Sequence, residues 1–255
     1  MGFWLSYGGG VNSTALAVMV VHGLLPKYGD VKFIFSDTGN EKPETIQYIK
    51  QIFIPYLQKY GRDLVVVKAE ETVLERWQRY KMTGSRTLRS CTDHGKIRPI
   101  MDFVRKVDDS PEQLVGIDAG ESHRAKPANK KKREFPKHYP LVERGIDRKR
   151  CIEIIKDAGI RIPVKSGCWH CPFMRVREIL SLANTFPEQF EKIILLEDVC
   201  RTRMIIEGKE IRSYYQWRDK PAIYWWNRAK QEAKQMSLNL EWDDIDPNIP
   251  CICYD

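Results

Sequence analysis

No stretch of the sequence is apolar for long enough to cross a bilayer; the longest candidate near the start, Thr14 to Leu25, is broken by His22 and Gly23. No basic segment precedes the first apolar run, so no secretory leader is visible, and a cytoplasmic protein with no membrane partner is expected. Internal repeats are missing, and low-complexity sequence is confined to Lys130–Arg133. The seven cysteines are an odd number and cannot all pair, and a reducing compartment disfavours a disulfide framework. Metal, cluster or catalytic sulfur is the better expectation for them.

What is present is the composition of a soluble globular chain: 255 residues, 42% hydrophobic and 30% charged. That length buries one good-sized core and leaves room for a small appended part. A net charge of +8 favours anionic partners. The charge is uneven: residues 124–150 hold eleven Lys or Arg against Glu134, Glu143 and Asp147. A charge run alone is most often a solvated loop, but this one lies between two motif-bearing stretches.

Patterning predicts strands at Phe3–Tyr7, Val31–Phe35, Leu64–Lys68 and Leu114–Ile117, with helices between them. The first helix follows Gly8-Gly9-Gly10 and carries Asn12 or Ser13 as its expected cap; the second opens at Pro43 and runs to about Tyr60. Alternation of this kind predicts an α/β fold, a parallel β-sheet with helices on both faces. Past residue 150 the reading is helical: Arg148–Gly159, then Phe186–Met204 and Lys220–Met236, with an irregular tail after Asp243. The expected division is an α/β domain over 1–165 and a Cys-bearing, mainly α-helical part over 166–255.

Glycines at a strand-to-helix turn let backbone N–H groups surround a phosphate, and the helix terminus adds a positive dipole. Ser6-Tyr7-Gly8-Gly9-Gly10-Val11-Asn12-Ser13 has that layout without the Gly-Lys-Ser/Thr ending of a Walker loop or the spacing of a dinucleotide fingerprint. The plain alternative is a glycine turn. Asp37, at a strand's carboxyl end, lies where α/β sheets bind ligands.

The segment Ser6–Ser13 resembles the PP-loop of the N-type ATP pyrophosphatase superfamily, in the form S-x-S-G-G-x-D-S of the PAPS reductase-like branch. Gly9, Gly10 and Ser13 match; Gly8 replaces a Ser, Val11 a common Lys and Asn12 the Asp. Further stretches follow in the family's order. Asp37-Thr38-Gly39 with Pro43-Glu44-Thr45 is similar to D-T-G-x-x-x-P-E-T. Ser90-Cys91-Thr92 with Lys96–Ile100 is similar to the cysteine and basic segment. Gly116 through Arg124 is similar to G-I-R-x-x-E-S-x-R, with Asp118 in place of the first Arg, and Tyr139-Pro140-Leu141 is similar to N-P-L. The resemblance covers roughly residues 3–175 and implies an adenine nucleotide alpha hydrolase-like fold. It also implies ATP and Mg²⁺ held by Ser6, Gly8, Gly9, Gly10, Asn12, Ser13, Asp37, Thr38, Gly39, Glu44, Gly116 and Arg124.

Cys168-Trp169-His170-Cys171-Pro172 offers two thiols from a single turn, a spacing shared by metal sites and redox dithiols. The resemblance adds Cys91, where relatives place two adjacent cysteines and this chain has Ser90-Cys91. It implies a [4Fe–4S] cluster, with Zn²⁺ as the alternative, on Cys91, Cys168 and Cys171. Cys200, His170, His94 or no protein group supplies the fourth position. Cys151 reads as core packing, and Cys251 and Cys253 as incidental tail residues. The late aromatics Tyr214, Tyr215, Trp217, Tyr224, Trp225 and Trp226, interleaved with Arg212, Arg218 and Arg228, suit either base stacking or core; at helical spacing core is the stronger reading.

Three functions follow from the resemblance. The first is an adenylating sulfurtransferase in which Cys91, Cys168, Cys171 and Asp37 are catalytic. It acts on nucleic acid (DNA phosphorothioation or tRNA thiolation), with a sulfur donor such as a cysteine desulfurase as partner. The second is a sulfonucleotide (APS or PAPS) reductase. The third is a non-catalytic nucleotide-binding subunit of a modification or defence complex. A homodimer is left open.

Overall fold

The computed structural model describes residues 2–87, 89–125, 135–209, 214–217 and 220–235. Five parallel strands form one sheet in the order β3-β2-β1-β4-β5. They are β1 (Gly2–Ser6), β2 (Val31–Asp37), β3 (Leu64–Lys68), β4 (Pro111–Val115) and β5 (Lys137–His138). Between β1 and β2 lies α1 (Val11–Val21). Between β2 and β3, α2 (Pro43–Tyr48) and α3 (Ile54–Lys59) join through a π turn at Ile49–Phe53, so the single expected helix bulges midway. Next come α4 (Val73–Tyr80), the single turn α5 (Ser90–Thr92) and α6 (Arg98–Val107), then α7 (Pro140–Glu143) and α8 (Arg148–Asp157) after β5. The last three helices are α9 (Val176–Thr185), α10 (Pro187–Ile206) and α11 (Ala222–Gln235).

Alternation along the strands sends successive side chains to opposite faces, and both faces are covered. Leu5, Phe33 and Phe35 join Leu16 of α1, Phe53, Leu57 and Cys151 and Ile155 of α8 on one face. Trp4 and Ile34 meet Ile100, Met101 and Val104 of α6 on the other. Parallel pairing buried on both sides is what near-continuous apolar strands predict. A third cluster unites α9, α10 and α11 with Val73, Leu74 and Trp77 of α4. The helical C-terminal part thus shares its core with a helix of the α/β part.

Four sequence expectations need correction. β4 begins and ends earlier than expected, because Gly116 and Ile117 already turn away from the sheet. β5 and α6 were not anticipated. The first is two residues long, and the second opens with Arg98-Pro99 directly out of the π turn at Asp93–Ile97. The cap of α1 is Gly10, without a side-chain hydrogen bond, and Asn12 and Ser13 sit inside the first turn.

Candidate nucleotide cleft and cysteine loop

The strand order reverses between β1 and β4, and open α/β sheets bind ligands outside the carboxyl ends at that point. A cleft open to solvent occupies it. Ser6, Gly8, Gly10, Asn12 and Ser13 line one side, Val115, Gly116 and Ile117 a second, and Glu121, Arg124, Arg148 and Lys165 the rim. Gly9 has φ of 71°, and a Cβ there would stand 2.8 Å from Thr45 Cγ2, so glycine is required at the turn. With Gly10 as a cap that lends no side chain, the first-turn N–H groups of α1 keep no side-chain acceptor from their cap. Ser13 Oγ closes the loop from within, accepting from Gly8 N–H at 3.2 Å and donating to Gly10 C=O at 3.1 Å.

Asn12 and Asp118, two of the positions that depart from the family pattern, meet each other. Asn12 Nδ2 donates to Asp118 Oδ2 at 2.8 Å, and Arg148 donates to Asn12 Oδ1 at 3.0 Å. Asp118 is buried and also caps the short 3₁₀ helix Ala119–Arg124, accepting from Glu121 N–H at 3.2 Å. The buried Arg124 donates to Glu121 at 2.8 Å. A chain of polar contacts therefore fixes the glycine loop to the rim cations. Sequence reading recorded both departures without seeing that they compensate.

Lys165 reaches the rim through another pairing that the sequence did not announce. Glu178 of α9 accepts from Lys42 Nζ and Lys165 Nζ, each at 3.0 Å, and from its own cap Arg175 N–H at 3.0 Å. Burial alone would raise the Glu178 carboxyl, but the two ammonium groups outweigh it and hold it below the usual carboxylate range. Arg124, Arg148 and Lys165 make the rim a fixed cationic field, suited to a polyphosphate.

The other sequence-named residues fall outside this cleft's lining. Asp37 turns back on its own loop, accepting from Gly39 N–H at 2.8 Å and pairing with Lys68 at 3.0 Å. Gly39 has φ of 72°. Thr38 donates to Glu41 at 3.1 Å and lies 3.4 Å from Cys168 Sγ. Glu44 stands in the first turn of α2. Glu121, which accepts from Arg124, is the carboxylate lining the cleft that would meet magnesium carried on a nucleotide's phosphates.

The cysteine loop is tied to the segment after β2. Glu41 and Cys168 form an antiparallel bridge, Lys42 N–H donates to Gly167 C=O at 2.9 Å, and Trp169 N–H donates to Asn40 C=O at 3.1 Å. Cys168 Sγ faces the carboxylate of Glu41 at 3.7 Å, and Lys96 neutralises that buried carboxylate at 3.1 Å. Cys91 and Cys171, both half-buried, pack at the edge of the helical core. Three thiols are a donor set for soft metals. Among the described residues, however, no three His, Cys, Asp or Glu side chains gather as ligands of a metal ion. The expected cluster or zinc is not matched by this donor geometry.

Nor do the named fourth ligands join the set. His94 receives Arg76 Nη2 at 2.9 Å. His170 is enclosed by Trp77 and Trp169, and burial keeps its ring neutral, with its pKa lowered to about 3. Cys200 packs in the helical core, where burial pushes its thiol up to about 11; Cys151, the expected core residue, is pushed to about 12. Alkylation of the native protein at mildly alkaline pH is therefore expected to mark Cys91, Cys168 and Cys171 well before Cys151 and Cys200. Peptide mapping of timed iodoacetamide reactions reads this, and early labelling of Cys200 would contradict its placement.

The aromatic expectation divides. Trp217 and Trp225 are core, Tyr224 is exposed, and Arg212 and Arg218 lie outside the described residues, as do Cys251, Cys253 and residues 126–134 of the basic run.

Among known proteins, two uncharacterised proteins of Methanocaldococcus jannaschii match. One is 25% identical over 237 residues, covering 85% of this chain and 52% of its own length. The other is 22% identical over 249 residues, covering 85% and 46%. The chain thus spans about half the length of these curated relatives. Solved structures similar in part include phosphoadenylyl-sulfate (PAPS) reductase from Candida auris in a phosphate complex. It has a TM-score of 0.46 and 18% identity over 67% of this chain and 82% of that one. Another is the U34-tRNA thiolase NcsA from Methanococcus maripaludis with its [4Fe-4S] cluster, with a TM-score of 0.47 and 10% identity over 92% and 72%. Residues 2–159, more than half the chain, match the family model for the phosphoadenosine phosphosulfate reductase domain, and the glycine loop, Asp118, Arg124 and Arg148 all lie within that stretch. The chain belongs to the phosphoadenosine phosphosulfate reductase domain family.

Proposed function

We propose that the cleft binds ATP and that the protein adenylates an acceptor oxygen, which a cysteine-borne sulfur then replaces. The observation that carries this reading is the convergence of the glycine loop with Arg124, Arg148 and Lys165 at the switch point of the sheet. The loop and the α1 terminus hold the departing phosphates, and the rim cations meet the charge that develops as the bond between the α-phosphorus and the bridging oxygen breaks. Pyrophosphate leaves and the acceptor oxygen keeps AMP. Magnesium, held at Glu121, would neutralise phosphate charge.

The sulfur step belongs to the cysteine loop. Cys168 accepts a terminal sulfur from a donor such as a cysteine desulfurase, and that sulfur displaces AMP from the acceptor. Cys171, one turn on, resolves the resulting mixed disulfide, and an external thiol re-reduces the pair. Nucleic acid, DNA or tRNA, is the acceptor class that the net charge of +8 favours.

Anaerobic incubation with ATP and Mg²⁺, with and without DNA or tRNA, tests this through AMP and pyrophosphate. Pyrophosphate release stimulated by nucleic acid is the expected result. Its absence under every condition discards the adenylation reading. The family match itself favours a second reading, reduction of an adenylated sulfate in the same cleft, and sulfite release from PAPS is its signature. ATP binding without either product supports a nucleotide-binding subunit.

A further inference from the structure

Gln216 is a polar residue in an apolar place. It is 2% exposed, beside Trp217 of the core that joins α9, α10 and α11 to α4. Both ends of its amide are engaged, and they reach two cysteine-bearing segments. Oε1 accepts from Gly84 N–H at 2.9 Å, in the loop between α4 and α5, the turn that bears Cys91. Nε2 donates to His170 C=O, between Cys168 and Cys171. Trp217, fully enclosed, donates its indole N–H to Cys171 C=O at 2.9 Å. Gln216 is itself held by α10, where the buried Glu197 accepts from Gln216 N–H and Ala222 N–H at 2.7 Å each.

The fit around the amide is close. A methyl group on Gly84 would stand 2.8 Å from Gln216 Nε2 and 2.5 Å from Trp77 Cη2, so a side chain at that position would crowd the amide. Trp77 meets the His170 ring edge-on, with centroids 4.6 Å apart. That ring is buried, and neither of its nitrogens has a hydrogen-bond partner among the described residues, so the polar hold on this side of the loop passes through backbone carbonyls. The start of the loop is tied to the segment after β2, through Gly167 and Trp169; its second half is tied by Gln216 and Trp217. An apolar side chain would fill the same volume, whereas an amide bonded at both ends also fixes direction.

We propose that Gln216 is the positioning residue of the sulfur-carrying loop, holding the turn from Cys168 to Cys171 and the segment before Cys91 in one arrangement. This rests on the reading that Cys168 carries sulfur and Cys171 resolves it. In that resolution the Cys171 thiolate attacks the Cys168 sulfur of the mixed disulfide. The Cys168–Cys171 bond forms, and the acceptor's sulfur leaves as a thiolate, which takes up the proton that Cys171 gave up. Attack runs along the axis of the bond that breaks, so small displacements of the turn cost rate.

The test uses the full reduced chain without air, with the aromatic disulfide dithiobis(nitrobenzoate) in place of a sulfur donor; it needs neither ATP nor nucleic acid. In the native protein one thiol of the pair releases a first coloured thiolate. Its partner then displaces the second at a rate independent of reagent concentration, leaving a Cys168–Cys171 disulfide that peptide mapping identifies. Gln216→Ala is expected to slow the second release about tenfold or more. Trp217→Phe, which keeps an aromatic ring and loses the indole N–H, is expected to slow it several-fold, and decides alone if Gln216→Ala does not fold. Ile193→Val, a small truncation in the same core, is the control: it lowers the thermal midpoint and leaves the second release unchanged. Native rates in Gln216→Ala and Trp217→Phe, or slowing that Ile193→Val reproduces, overturn the positioning role and leave the thiol-pair reading standing. A native protein that shows no second release overturns both, while the pyrophosphate assay still judges adenylation separately.

Discussion

Glu178→Ala is expected to be among the most destabilising single substitutions in the chain, costing about 3–5 kcal/mol and lowering the thermal midpoint by roughly 10 °C. The reason lies less in what Glu178 contributes than in what its loss leaves behind. The Lys42 side chain is 3% exposed and that of Lys165 is 11% exposed, so both ammonium groups would remain out of water without the carboxylate they share. Three hydrogen bonds go with the carboxylate, including the one that caps α9. Glu178→Gln keeps the volume and loses the charge, and should fall between Ala and the native protein. The pH dependence has a definite sign. A carboxyl held below its usual range when folded contributes fully above that range, and the contribution is lost as pH falls through the folded value. The Gln variant should therefore lose less stability than the native protein on acidification. A second readout separates this from a generic core lesion: freed from Glu178, Lys165 loses its fixed position on the rim, so ATP affinity should fall along with stability. Equal melting curves for Glu178→Ala and the native chain would sink the account.

The first three strands were legible because their physics is local. Val31–Asp37 and Leu64–Lys68 are short apolar runs between turn signals, and each side chain's face follows from alternation alone. α8 and α11 were placed for the same reason. α6 escaped because Lys96–Ile100 was read only as part of a basic motif, although a Pro at the second position suits the first turn of a helix. The glycine loop was legible as a turn between β1 and α1. Its partners were not: Asn12 and Asp118 are 106 residues apart and Lys42 and Glu178 are 136 apart, and one sequence does not record which distant polar groups will meet. Asp37 carries a local bond that the strand-end reading did not include. Its place at a strand end is that of a ligand-binding acid, and a residue two positions before a left-handed glycine is also placed to accept that glycine's N–H. The cysteines show the same limit: Cys168 and Cys171 were found by spacing, while the Glu41 carboxylate and Lys96 ammonium beside Cys168 were not.

Gly116→Ala is expected to weaken ATP binding about tenfold or more and to cost about 1–3 kcal/mol of stability, although no side chain in the cleft is removed. The register of β4 on β1 pairs Val115 with Ser6, so the residue after Val115 lies against the glycine loop as it enters α1. A methyl group at Gly116 would stand 2.8 Å from Ser13 N, 2.9 Å from Ser13 Cα and 3.0 Å from Asn12 C. Those are backbone atoms of the first turn of α1, and they cannot rotate aside as a side chain does. Relief requires the loop or the end of β4 to move, and either motion spreads the N–H groups meant for phosphate and pulls Asn12 from Asp118 and Arg148. Gly10→Ala provides the internal control. Its added methyl would meet Ser166 Oγ at 2.8 Å, the end of a side chain that can swing away, so the loss of affinity should be several-fold smaller. Calorimetric titration of ATP into both variants decides the point. If Gly10→Ala proves the more damaging, the close approach of β4 to the loop is not what sets the cleft, and phosphate binding depends instead on the Ser166 side of the rim.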